Sequence, residues 1–589
     1  MPDDHRPDGL TRSSIHAWDD SSSEVLSSIT AGRGVRAGIA PDVHAVLDPE
    51  SVARGYLDDA LASPSLRSLT APEADGRPAR FASLGTETVA LTGTRTVKFR
   101  QVLHGIPVYG SFVVVELDED NELVGIDTTT GEPEGVDPVA TISPARAVAI
   151  ARGAPNGYIP VAETIVPRQH FYYDGGDERW RLVYLLEDVP VTSNGAKGDD
   201  SPLPEAPHLV DYVIDAHDGT VVDVLPRTPS MAAASMEAVE QTAADSFGTT
   251  RTFPAQQDGE RLVLRDPMHN VETFDFGFGD PAVDAGALPG TILAKPPEWG
   301  PSAVSAHANA IQVARFLRTV VLRNNIDGRG GPMTSTINCV VQSAARGPKE
   351  WANAFWNGTQ MVYGQLRHGE ELRSLSANVD VVGHEIFHGV TDSTSRLEYR
   401  AQSGALNESY SDIFGTIIAN LVNTDPRTWD WLFGEKLFPN REALRDMADP
   451  TRFDQPAHMD DYRDLPVTQR GDWGGVHTNS GIPNKAAHVL LTTEDPDGEL
   501  TLTPHEVAAV YYIALTQRLS RTSQFVDARR ATIASARSFF RNRPQEERER
   551  KVAAVGAAFD AVGIAAGGLT PTGPSATAGR AGRGRPATP

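Results

Sequence analysis

His384-Glu385-Ile386-Phe387-His388 decides how this chain is read. The five residues sit inside 378–392, where Val379, Val382, Ile386, Phe387 and Val390 recur at helical spacing. On a helix, positions 384 and 388 fall on one face, one turn apart. Two imidazoles so placed can reach one Zn²⁺ at about 2.0–2.1 Å. Glu385 lies about 100° round the helix, too far to be a good ligand but close enough to reach a water on the metal. In a chain of 589 residues with 16 histidines, the pattern arises by chance roughly 0.03 times. A third ligand is therefore needed to make the case.

Gly404-Ala405-Leu406-Asn407-Glu408-Ser409-Tyr410-Ser411-Asp412 supplies one. This run opens a second predicted helix that extends to about residue 421. Glu408 can complete a His₂Glu site that leaves the fourth position for water. Asp412, on the same helix face, can accept the free ring N–H of a ligating histidine. Alone, two carboxylates at this spacing read as a solvated helix face; downstream of two zinc-spaced histidines the odds reverse.

These runs resemble the thermolysin family of zinc metalloendopeptidases. The likeness extends to Asn353-Ala354-Phe355-Trp356-Asn357-Gly358, to Met361-Val362-Tyr363-Gly364, to residues 474–486, to Ala514-Leu515-Thr516-Gln517 and to Phe559-Asp560-Ala561-Val562-Gly563. Nineteen residues separate His388 from Glu408, as that family has it. Zinc aminopeptidases usually have one fewer, and metzincins need Gly and His where this chain has Thr391 and Thr394.

The resemblance implies His384, His388 and Glu408 as ligands of one Zn²⁺, with Glu385 as general base and proton shuttle. It implies Asp412 and Asn407 as the groups orienting the ligand histidines, Tyr399 and His477 as oxyanion donors, and Asp472 as the group orienting His477. Asn353 and the backbone of Ala354 would hold the peptide. Arg445 would bind a substrate carbonyl at the rim of a pocket lined by Leu372, Leu375, Val381, Phe433 and Leu444. The pocket is apolar, so cleavage is expected before hydrophobic residues. Phe433 stands where the family often has a smaller aliphatic residue, which favours Leu or Val over Phe. Asp380, Asp430 and Glu435 match ligands of the family's paired calcium site, but two further carboxylate positions hold Ala419 and Leu432. Losing two anionic ligands weakens or abolishes a double Ca²⁺ site.

The fold expected is α+β: a propeptide of small α+β units, then a two-lobed peptidase with a β-rich N-lobe, a central zinc helix and a mainly helical C-lobe. Residues 1–40 are polar and read as disordered. Residues 41–155 resemble the fungalysin/thermolysin propeptide, with Gly105-Ile106-Pro107-Val108-Tyr109-Gly110 as the telling run, and 156–226 resemble a PepSY domain. Residues 227–245 have a linker's composition and are the expected maturation site, with cleavage between about 225 and 250 and a peptidase starting near Ser246. Residues 246–393 and 394–566 are the two lobes, and 567–589 a disordered tail.

A net charge of −25 excludes nucleic-acid or anionic-membrane binding through overall charge. One cysteine, Cys339, excludes an intramolecular disulfide. No apolar run is long enough for a transmembrane helix. No signal peptide is legible at the N-terminus, although the resemblance implies secretion; cytoplasmic residence is the alternative. The expected partners are protein or peptide substrates and the chain's own propeptide, acting as intramolecular chaperone and inhibitor of a monomer. The competing readings are an aminopeptidase-like zinc enzyme, disfavoured by spacing, and a catalytically silent zinc-stabilised binding protein, disfavoured because base, oxyanion donors and Asn353 are all present.

Overall fold

The computed structural model describes residues 8–16, 48–62, 80–153, 158–160, 165–193, 208–227, 238–295, 298–439 and 441–565. The N-terminal part is two α+β layers. In the first, helix α1 (Pro49–Ala62) lays Val52, Tyr56 and Leu57 on an antiparallel sheet through Phe99, Val113, Val115 and Ile126. The sheet runs in the order Leu10–His16, Leu123–Gly131, Phe112–Leu117, Thr94–Leu103, Arg80–Val89. The expected turn at 118–121 is built by Asp118, whose carboxylate accepts the N–H groups of Asp120 and Glu122 at 2.9 and 2.8 Å.

In the second layer, α2 (Pro144–Arg152) begins as anticipated, with the Ser143 side chain accepting from Arg146 N–H and Pro144 in the first turn. Its Ala147 and Ala151 pack on Val210, Tyr212 and Ile214. The sheet beneath runs Val221–Arg227, His208–Asp215, Arg179–Ser193, Tyr158–Pro160, with Pro167–Asp174 also paired to Arg179–Ser193.

Two expectations are corrected here. Residues Leu10–His16 are not disordered: they pair antiparallel with Leu123–Gly131, capturing the open edge of the first sheet. The expected linker is shorter than 227–245, because Ala238–Ala244 is a strand paired with Thr250–Asp258, from Ala238↔Gln256 to Ala244↔Thr250. Its seven residues lack apolar alternation and Val239 is 44% exposed; ladder hydrogen bonds hold the strand, and burial contributes little. The tail 567–589, with Arg580, Arg583 and Arg585, lies outside the described residues.

The remainder carries the site. A sheet running Arg265–Asp266, Val271–Asp275, Met333–Ile337, Met361–His368, Trp351–Trp356 is followed by α4 (Val379–Asp392), with α3 (Pro301–Thr319) and α5 (Ala401–Ala419) packed against it. Then come α6 (Asp472–Asn479), α7 (Gly481–Thr492), α8 (Pro504–Ile513), α9 (Phe525–Phe539) and α10 (Gln545–Asp560). Two glycines bring α4 and α5 together. A Cβ on Gly383 would lie 3.0 Å from Gly415 Cα, and one on Gly415 would lie 2.4 Å from Asp380 O. Phe387 of α4 stacks on Phe414 of α5 at 4.0 Å between centroids. This close approach sets both histidines against the acidic face of α5. No helix among the described residues is long and apolar enough to cross a membrane. Cys339 is buried, and burial pushes its thiol well above the usual range.

His307 of α3 is buried as a neutral ring. Its Nε2 donates to Pro254 O and its Nδ1 accepts from Thr273, each at 3.0 Å. Burial pushes it down to about 4 from 6.5. The unfolded chain therefore binds a proton that the folded one refuses, and stability held above pH 6.5 drains away as pH falls toward 4. The loss from this group is expected to reach about 3 kcal/mol. Thermal unfolding across that window checks it: His307→Gln should flatten the profile, and an unchanged acid slope would exclude His307 as the cause.

Candidate active site

On α4, His384 and His388 turn their Nε2 atoms toward each other at 3.0 Å. The Nδ1 of His384 donates to Asp412 Oδ1 at 2.9 Å, and that of His388 to Asn407 Oδ1 at 2.8 Å. Both partners are acceptors, so the Nδ1 atoms carry the protons and the Nε2 lone pairs converge. Such a pair needs a proton or a cation between its members. Glu408 completes the triangle: Oε2 lies 3.5 Å from His384 Nε2 and Oε1 3.4 Å from His388 Nε2. Glu408 Oε2 is buried with no hydrogen-bond partner. Two converging ring nitrogens and an orphaned carboxylate oxygen fit a tetrahedral N₂O metal site. It is the only group of three or more His, Cys, Asp or Glu among the described residues arranged to hold a metal ion.

The charges agree. Burial disfavours a charged Glu408, but His477, His388, His384 and Arg445 outweigh it and hold the carboxyl well below its usual range. Burial pushes His388 down to about 4, leaving it a neutral donor. Beside the cluster, Glu385 is buried; burial, with the Glu408 charge adding and His384 opposing, pushes it up to about 7.

Tyr399 and His477 face the same triangle. The Tyr399 hydroxyl donates to Glu408 Oε1 and lies 3.1 Å from His477 Nε2. Asp472 positions His477 twice, accepting from its Nδ1 at 2.6 Å and its backbone N–H at 2.9 Å. Burial disfavours the imidazolium, but Glu408 and Asp472 prevail and raise His477 to about 9. The start of α6 is a left-handed turn through Asp472, Trp473, Gly474 and Gly475, all at positive φ. At Gly474 a Cβ would meet Ala401 N at 3.0 Å, so glycine lets this turn sit on the start of α5.

Arg445 is drawn inward. It pairs with Asp412, approaches Glu408 Oε2 at 3.6 Å, and lies 5.3 Å over the Phe433 ring. Leu375, Val381 and Phe433 form one buried cluster with Ala377 and Leu437, with Leu444 and Ala354 against it; Leu372 is outside it. Phe433 also lies 5.5 Å from the His384 ring. Asn353 and Ala354 lie on Trp351–Trp356, the edge strand of its sheet, at a register break between Trp351 and Ala354.

The expected calcium carboxylates do not form a second metal cluster among the described residues. Asp380 instead accepts the N–H groups of Gly434 and Val381, both at 2.7 Å, and burial raises it to about 7. Asn484 was missed by sequence reasoning. Its side chain donates to Asp412 Oδ2 at 2.8 Å and so braces the His384 partner; the run 474–486 pointed to it without giving it a task.

Comparison with known proteins follows the same lines. Residues 240–392 match the model for the thermolysin metallopeptidase catalytic domain, 395–564 that for the thermolysin metallopeptidase alpha-helical domain, and 79–127 the fungalysin/thermolysin propeptide motif. A bacillolysin of Brevibacillus brevis is 32% identical over 80% of this chain and 83% of its own length. The neutral protease NprE of Bacillus pumilus is 36% identical over 54% of this chain and 96% of its own. The solved precursor of protealysin from Serratia proteamaculans is 28% identical, with a TM-score of 0.41 over 53% of this chain and 90% of that one. The chain is a member of the thermolysin metallopeptidase family, an endopeptidase precursor with a propeptide motif ahead of its catalytic domain.

Proposed function

We propose that the chain is the zymogen of a zinc-dependent endopeptidase that cuts on the amino side of hydrophobic residues, with Glu385 as general base. The carrying observation is the His384/His388/Glu408 triangle with an orphaned, buried Glu408 oxygen and Glu385 beside it. Bound zinc would supply Lewis acidity, which acidifies water and polarises the scissile carbonyl. Glu385 takes a proton from the attacking water and passes it to the leaving nitrogen. His477 and Tyr399 donate to the carbonyl oxygen as charge develops there. Asp472 fixes the ring of His477, and Asp412 and Asn407 fix the zinc-holding rings. Asn353 and the Ala354 backbone hold the peptide along the edge strand. Arg445 braces Asp412 and closes the pocket at Phe433. In this reading the substrates are proteins or peptides met outside the cell, the enzyme is a monomer, and residues 156–226 are a PepSY-like half of the propeptide.

The test is metal analysis of the purified protein. About one tightly held zinc per chain is expected, and His388→Ala should remove it along with casein hydrolysis. Zinc content unchanged in that variant would sink the assignment. A second check concerns the pocket. Phe433→Val removes most of an aromatic ring, so cleavage before Phe relative to Leu should rise at least about 5-fold. Peptide digests read by mass spectrometry would show it, and cuts mainly after basic residues would overturn the pocket reading.

A further inference from the structure

The segment leading into α5 alternates between two partners. Leu397 and Tyr399 turn toward the active site: Leu397 O accepts from Asn407 Nδ2 at 3.4 Å, and the Tyr399 hydroxyl bonds Glu408 and His477. Arg396, Glu398 and Arg400 turn to the N-terminal unit. Arg396 Nη2 donates to both carboxylate oxygens of Asp188, at 2.8 and 3.0 Å. Glu398 Oε1 accepts from the Tyr109 hydroxyl at 2.7 Å, in a buried contact. Arg400 pairs with Asp223 and donates to the Tyr172 hydroxyl at 3.1 Å. The backbone of Arg396 and of Ala401 is left-handed, at φ 56° and 44°, which costs an L-residue roughly 1–2 kcal/mol each unless its surroundings hold it there. A Cβ on Gly404 would lie 2.9 Å from Tyr399 C, so the strap rides close on α5.

The docking is anchored beyond the strap. Arg518 pairs with Glu116 and Asp127, and Arg521 with Glu187 and Asp211, each carboxylate coming from the N-terminal unit. Arg521 O also accepts the N–H of Glu398 at 2.9 Å. The three outward side chains of the strap are thus held by the propeptide side, while the Tyr399 hydroxyl and the Leu397 carbonyl are held by groups of the catalytic site.

We propose that residues 396–400 are a strap through which the docked propeptide positions Tyr399: docking holds its hydroxyl on Glu408, and undocking frees it for the substrate oxygen. Glu398 and Arg400 are positioning residues in this account. The inference rests on the reading of Tyr399 as an oxyanion donor. It restrains the zymogen through strain and contacts in one short segment.

Hydrogen exchange on the full chain tests it, in a Glu385→Gln background that prevents self-cleavage. Tyr109→Phe with Asp223→Asn, both in the N-terminal unit, should speed amide exchange in 396–402 at least about 10-fold. Exchange in Phe112–Leu117 and in Val379–Asp392 should stay unchanged, and Asp223→Glu should restore protection. With Glu385 intact, the same pair should raise the first-order rate of self-cleavage about 3-fold or more, and this gain should vanish in a Tyr399→Phe background. Unchanged exchange in 396–402, or faster exchange spread over Phe112–Leu117 as well, would overturn the strap. Faster strap exchange with an unaltered cleavage rate would overturn its link to Tyr399. Failure of the catalytic reading shows differently, as undiminished turnover in Tyr399→Phe itself, whatever the exchange result.

Discussion

Glu385→Gln is expected to retain its zinc and lose at least about 10²-fold in kcat/KM, the ordinary worth of a general base. The substitution keeps the shape and volume of the side chain. Glu385 is not a corner of the triangle formed by His384, His388 and Glu408, so removing its charge leaves the metal-holding atoms in place. An amide cannot accept the proton of an attacking water, nor carry it to the leaving amine. The Glu385 carboxyl is buried beside the triangle. The variant therefore separates metal binding from proton transfer: His388→Ala should lose both zinc and turnover, Glu385→Gln turnover alone. Near-normal hydrolysis by Glu385→Gln would mean that another group is the base. His477→Ala should follow the pattern of Glu385→Gln, with zinc bound and turnover impaired through the lost oxyanion donor.

Much of this site was legible because it depends on short-range periodicity. The pair His384/His388 needs only one helical turn, and α4 forms over Val379–Asp392 as the apolar spacing predicts. Glu408 and Asp412 need the same of α5. The contact between those helices was not legible from periodicity. It rests on Gly383 and Gly415, whose missing side chains matter only when the partner helix is known. The Arg445–Asp412 pair was hidden for a similar reason: which carboxylate a guanidinium meets depends on tertiary placement. The strands Leu10–His16 and Ala238–Ala244 were missed because a sheet edge can recruit backbone whose side chains carry no apolar pattern. The reverse case is Tyr399, placed by resemblance alone. Its position is set by a segment whose alternate residues answer to the N-terminal unit, a relation that no local pattern of the sequence expresses.

Maturation is the second large expected effect. Strand Val221–Arg227 ends the N-terminal unit and strand Ala238–Ala244 begins the peptidase sheet. A cut near Ser246 would strip away the strand paired with Thr250–Asp258 and break the contact of Ser246 N–H with Ser305 Oγ at 2.9 Å. A cut in the ten residues between Arg227 and Ala238 leaves both of those strands whole. Cleavage is therefore expected in those ten residues, leaving a peptidase that begins at or just before Ala238 and keeps its edge strand. Self-cleavage needs the base, so Glu385→Gln should accumulate as the full 63.3 kDa chain while the wild type shortens. N-terminal sequencing of the shortened form locates the cut. The idea is falsified if Glu385→Gln, purified without added protease, shortens as fast as wild type. A mature N-terminus beyond Ala244 would show instead that the first strand of the peptidase sheet is dispensable, and that fold stability does not select the cleavage site.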